Sequence, residues 1–264
     1  MKKRIAVVAI IMIQICAQRI SFGQTDKSPI PCGHYRTIDS KILGEQRTVL
    51  IHLPTDYEVS DERFPVLYRL DGETDFFIQS VSMVEYLHAM AKKIPGYIVV
   101  AIPNTDRFRD MVTGRNYFHL FIRNELIPFI DSNYRTVDSR ILCGQSTSTL
   151  FVFYSFLNDP GLFNLYVLCS FGCPNNFKDD FLNSISNSSE IKVIENRSLF
   201  FTNAKKDSYD PTGAIRHNGE MLIETLKTSI PVSNRIMYKM YDDEHHVPFP
   251  SLYDGLKWFH RSSN

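Results

Sequence analysis

The sequence predicts an α/β fold: a mostly parallel central sheet with an antiparallel N-terminal edge and helices on both faces. Short, β-branched apolar runs alternate along the chain with longer runs whose apolar residues recur at helical spacing. Some short runs, "YIVVAIPNT" (97–105) above all, are apolar almost throughout, as in strands covered on both faces. The first strands lack helical crossovers, which places them at an antiparallel edge.

"RTVLIHLP" (47–54) and "FPVLYRLDG" (64–72) are strands, and "DFFIQSVSMVEYLHAMAKK" (75–93) is a helix. After the strand at 97–105, "YFHLFIRNELIPFIDSNY" (117–134) is a helix that Pro128 should bend or break. "RILCG" (140–144) is a strand, "STLFVFYSFLND" (148–159) a buried helix, and "LYVLCSF" (165–171) and "RSLFFTNA" (197–204) are strands. The Ser/Asn-rich "NSISNSSE" (183–190) reads as a surface loop. A helix over 213–229, a strand over 234–244 and a last helix over 251–261 complete the pattern. Met83, Met90 and Met111 are expected to pack rather than to set specificity.

The 264 residues are 44% hydrophobic and 22% charged with zero formal net charge, so nothing points to nucleic acid or an anionic membrane. The N-terminus differs in kind. A basic start (Lys2, Lys3, Arg4), an apolar run from Ile5 to Ile15 and the small residues of Ser21-Phe22-Gly23 form the three parts of a secretory signal. The apolar run is too short for a comfortable transmembrane helix. Residues 1–23 are therefore expected to be a signal peptide and 24–264 a single exported domain, periplasmic or extracellular, with no stable membrane insertion. Cleavage would leave 25 basic against 29 acidic groups, because Lys2, Lys3, Arg4 and Arg19 go with the signal. Cys32, Cys143, Cys169 and Cys173 have no zinc-like spacing, and Cys143 and Cys169 are expected as small buried hydrophobes. No metal is expected.

The chemistry is carried by "ILCGQSTST" (141–149). In a G-x-S-x-G turn the serine occupies a strained strand-to-helix bend whose flanking positions have no room for side chains. Here Gly144 and Ser146 are in place, and Ser148 stands where the second glycine would be. A serine hydroxyl needs a base, and in this architecture the order is serine, acid, histidine. His245 and His246 lie just past the last strand. Asp207, beyond the strand at 197–204, is the best-placed acid, with Asp210 second. Backbone amides must receive the oxyanion; Thr147 supplies one, and the Gly72–Glu73 turn after an earlier strand offers the second.

Residues 45 to 260 resemble the esterase D / putative-esterase branch of the α/β-hydrolases, which includes enterobactin, feruloyl and acetyl-xylan esterases and mycolyltransferase relatives. The resembling segments are "FPVLYRLDGE", "VVAIPNTDRFRD", "ELIPFIDSNYRT", "RILCGQS", "DPGLFNLYVLCS" and "SLYDGLKWF". The resemblance implies an α/β-hydrolase fold and ester hydrolysis through an acyl-enzyme, with no cofactor. It puts Ser146 at the nucleophile position, His245 at the base and Asp207 at the acid, with His246 as the alternative base because the loop before Pro248 is one residue short. The chain departs from the family where Gly-Gly reads Ser148-Thr149 and where Ser-Pro-Ser reads Ser170-Phe171-Gly172-Cys173-Pro174. It also has a short segment between Asp110 and the "ELIP" helix, which suggests an open site.

Three functions are compatible with these residues. The first is a secreted serine esterase acting on a small-molecule or glycan-linked ester. The second is an acyltransferase with the same triad, and the third a binding protein that kept the fold and lost efficient chemistry.

Overall fold

Residues 32–261 are described in a computed structural model of the chain. The signal-peptide expectation falls on residues 1–23, outside the described residues. Eight strands form one sheet: β1 (His34–Ser40), β2 (Glu45–His52), β3 (Phe64–Leu70), β4 (Ile98–Ile102), β5 (Thr136–Gln145), β6 (Leu165–Cys169), β7 (Ser198–Ala204) and β8 (Arg235–Tyr241). Their order is β1-β2-β4-β3-β5-β6-β7-β8. β2 pairs antiparallel with both β1 and β4, and every other pair is parallel. The predicted fold class holds, with the antiparallel edge at the N-terminal side.

Alternation along each central strand feeds two cores. In β4, Ile98, Val100 and Ile102 face one core while Val99 and Ala101 face the other. Five helices cover the first face: α2 (Arg115–Phe121), α3 (Ile127–Asn133), α4 (Ser148–Asn158), α5 (Asn175–Asn187) and α6 (Ala214–Ser229). The second face is covered by α1 (Thr74–Glu85) and α7 (Ser251–Phe259).

Three expectations change. The proline break at 128 is milder than predicted. A single π-turn over Ile122–Leu126, in which the Ile127 amide bonds to the Ile122 carbonyl, separates α2 from α3 and takes up the disturbance of a missing donor at Pro128. A second π-turn, Tyr86–Met90, follows α1 and shifts the phase of the apolar stripe, so Met90 is exposed while Met83 is buried; Met111, in another segment, is buried as expected. Finally, residues 183–187 are the last turn of α5 rather than loop, because Phe181 and Ile185 anchor an otherwise polar helix.

The four described cysteines are free, and Cys143 and Cys169 are buried on neighbouring strands with their sulfurs 4.0 Å apart. Cys143 is more than a small hydrophobe: the buried Arg69 guanidinium lies 3.0 Å from its sulfur. Burial alone would raise this thiol, but its contacts with Cys169 and Arg69 favour the thiolate and hold Cys143 below its ordinary value. Among the described residues, no helix is long and apolar enough to cross a membrane.

Candidate active site

β5 ends at Gln145 and α4 begins at Ser148, so the chain must reverse within two residues. Ser146 makes the turn at a φ of 50°, a left-handed conformation that costs a non-glycine residue about 1–3 kcal/mol. The surroundings hold it there. The Ser146 amide donates to the Cys169 carbonyl at 2.9 Å, and the Ser146 carbonyl accepts from the Thr149 amide at 2.9 Å and hydroxyl at 2.5 Å. Gly144 is required by space: a Cβ there would lie 2.7 Å from Val152 Cγ2 and 2.9 Å from Ser148 Oγ. Gly144→Ala should therefore cost about 1–3 kcal/mol of stability through overpacking, read as a lower midpoint in urea unfolding.

The Ser146 hydroxyl lies 2.8 Å from His246 Nε2, and His246 Nδ1 lies 2.8 Å from Asp207 Oδ2. With Nδ1–H donating to the carboxylate, Nε2 is left as the acceptor for the serine proton. Asp207 is itself oriented, its other oxygen accepting the Tyr209 amide at 2.9 Å. The Tyr209 ring lies against the imidazole with centroids 4.6 Å apart.

The structure thus brings together Ser146, His246 and Asp207, and corrects the expectation for His245. Of the adjacent pair, it is the His246 ring that reaches Ser146. His245 is exposed, with Nδ1 3.1 Å from the Lys206 carbonyl. The choice is fixed one residue on: the Val247 amide donates to Ser170 Oγ at 2.8 Å, and both residues adopt left-handed conformations (φ 58° and 57°). Asp210, the alternative acid, caps α6 instead, accepting the Arg216 amide at 2.7 Å and the Ile215 amide at 3.3 Å.

Of the three amides expected to face an oxyanion, Gly72 is corrected: it donates to the Ile102 carbonyl at 2.9 Å, continuing the β3–β4 pairing. Among the described residues, neither the Thr147 nor the Glu73 amide makes a comparable bond. Ser146 and His246 line two hollows. One, of about 280 Å³, is walled by Phe108, Leu150, Phe171, Phe177 and Ile215. The other, of about 340 Å³, is walled by Asp71, Glu73, Asn104, Arg107 and Phe76.

Arg107 and Asp71 were not singled out by the sequence. Their ion pair (Nε–Oδ1 2.7 Å, Nη2–Oδ2 2.9 Å) lies beside the polar hollow. Burial alone would raise the Asp71 carboxyl, but bonds from Arg107, Asn104 and Ser148 hold it below the usual carboxylate range. The arginine is one of two in "DRFRD" (106–110), and nothing local distinguishes it from Arg109, which pairs with Glu45 and Asp110 on another side of the molecule.

The family profile for Putative esterase matches residues 40–211. The chain belongs to that family. The Putative esterase match covers β2 through β7, the elbow and Asp207, and stops before the histidine loop. The uncharacterized protein YjcH of Bacillus subtilis (strain 168) is 28% identical over 145 residues, 50% of this chain and 58% of YjcH; the match thus spans little over half of that relative. Among solved structures, an IroE-like serine hydrolase from Shewanella oneidensis superposes with a TM-score of 0.74 at 26% identity, over 86% of this chain and 79% of that one. The siderophore hydrolase EstA from Aspergillus nidulans gives 0.75 at 17% identity, over 91% of this chain and 98% of its own. The second likeness concerns the fold.

Proposed function

We propose that this member of the Putative esterase family is a serine carboxylic-ester hydrolase working through Ser146, His246 and Asp207. The observation that carries the reading is the continuous hydrogen-bonded path from the Ser146 hydroxyl through His246 to Asp207.

Ser146 Oγ attacks the ester carbonyl as His246 Nε2 takes its proton. Charge on the carbonyl oxygen falls on the Thr147 and Glu73 amides. Collapse of the tetrahedral species expels the alcohol, protonated by His246, and leaves an acyl group on Ser146. Water then attacks the acyl carbon as it gives a proton to His246, and collapse of the second tetrahedral species breaks the bond to Ser146 Oγ, which takes that proton back from His246 as the acid leaves. The apolar hollow takes the acyl part, and the polar hollow is the exit for the alcohol. The siderophore hydrolase among its neighbours makes an ester-bearing iron chelator a substrate to assay, beside short acyl, feruloyl and acetylated-sugar esters. Export behind a signal at residues 1–23, with 24–264 as one domain, belongs to the same proposal and rests on the sequence pattern.

A fluorophosphonate probe should label the folded protein at Ser146 and abolish its hydrolysis of a chromogenic ester; folded protein that takes no label would overturn the reading. Asp207→Asn should lower kcat by up to about 10⁴-fold, because an amide at 207 can hold the imidazole in the wrong tautomer. Steady-state kinetics on the same ester measures it.

A further inference from the structure

Ser148 occupies the place of a glycine, and its side chain is not idle. It is fully buried, it accepts the Gln145 amide at 2.6 Å, and its hydroxyl lies 2.9 Å from Asp71 Oδ2 and 2.8 Å from the Gln145 carbonyl. A hydroxyl has one proton to give, and of the two acceptors the ionised carboxylate is the stronger.

That bond joins two separate pieces of chain. Thr147 belongs to the turn between β5 and α4, while Glu73 follows β3, and nothing in sequence fixes one amide relative to the other. Two donors stabilise an oxyanion only if both are aimed at one point before the reaction begins. Asp71, 3% exposed and itself left-handed (φ 50°), lies two residues before Glu73. Its Oδ1 accepts Asn104 Nδ2 at 2.9 Å, and the same nitrogen reaches Glu73 Oε1 at 2.8 Å. Arg107 grips both Asp71 oxygens and extends Nη2 to the Gln145 carbonyl at 3.2 Å. The β3–β5 pairing and an Arg69–Gln145 bond join the two strands below the site, and at the turns themselves the Asp71 carboxylate is the hub on which Ser148, Arg107 and Asn104 converge.

We infer that Ser148 and Asp71 are positioning residues that hold the Thr147 and Glu73 amides in register for the oxyanion. The inference rests on the esterase reading above. The second glycine of the elbow is thus replaced by a group that ties the elbow to the opposite wall of the site.

The test compares wild type, Ser148→Ala, Asp71→Ala, the double variant and Ser146→Ala by kcat and KM on p-nitrophenyl butyrate. It adds the inhibition constant of a trifluoromethyl ketone, whose hydrated or serine-bound form places an oxygen where the oxyanion sits. Ser148→Ala should lower kcat about tenfold with KM within about twofold, since small displacements of aligned groups cost rates of this order. The ketone should weaken by the same factor. Asp71→Ala should lose at least as much, and the double variant should be no slower than Asp71→Ala, because both cut one connection. Asp71→Asn, which keeps an acceptor oxygen and suits the left-handed backbone, should recover part of the loss. Wild-type kcat in Ser148→Ala, losses confined to KM, or losses that multiply in the double variant would each overturn the inference. If Ser148→Ala fails to fold, Ser148→Gly removes the same hydroxyl and is judged by the same criteria. A fully active Ser146→Ala would sink the esterase reading itself, whereas an inactive Ser146→Ala beside a wild-type-like Ser148→Ala sinks only the inference about the tie.

Discussion

Replacing Ser146 by alanine is expected to lower kcat on a chromogenic ester by about 10⁴- to 10⁶-fold, the scale on which loss of a serine nucleophile acts. The fold should tolerate the change. The left-handed backbone at 146 is held by main-chain bonds to Cys169 and Thr149, which an alanine keeps, and the lost hydroxyl bonds to His246 alone. Circular dichroism should be unchanged and fluorophosphonate labelling lost. Persistent turnover by the purified variant, free of contaminating esterase, would show that another group attacks the ester.

The two neighbouring histidines should part company by a similar margin. His246→Ala removes both the acceptor for the Ser146 proton and the partner of Asp207, so kcat should again fall by about 10⁴- to 10⁶-fold. His245→Ala removes an exposed ring whose contact is the Lys206 carbonyl, and kcat should stay within about threefold of wild type. The paired measurement is decisive because the residues are adjacent and share a loop. A large loss at 245 with little at 246 would mean that the loop rearranges when substrate binds.

Much of the architecture was legible because burial on both sides of a sheet leaves an unmistakable imprint. "YIVVAIPNT" has to be a covered strand, and its neighbours in sequence have to be the covers. β1 escaped notice because only Ile38 and Ser40 of its seven residues are buried, too few for an alternating pattern. α5 was missed altogether for the same reason: only Phe181 and Ile185 of its thirteen residues are buried, and the stretch after Ile185 is Ser and Asn. At the candidate site, local signals sufficed to single out Ser146 and Asp207, each set just past the end of a strand and both within reach of His246. They could not choose between His245 and His246, since the deciding bond runs from Val247 to Ser170, 77 residues away. Ser148 reads as a blemish in a glycine motif because its partner, Asp71, is likewise 77 residues off. Short-range grammar picks out the candidate residues here; the choice between neighbours is made by distant contacts.

β8 is the edge strand opposite β1, and the proposed base for Ser146 follows it, 100 residues after the serine. Every earlier strand could therefore be in place, bend included, with the proposed site still incomplete. On the proposed reading, turnover requires β8 to be docked beside β7, so that His246 reaches Ser146. Detaching β8 and the loop after it would then silence the site while sparing most of the interior.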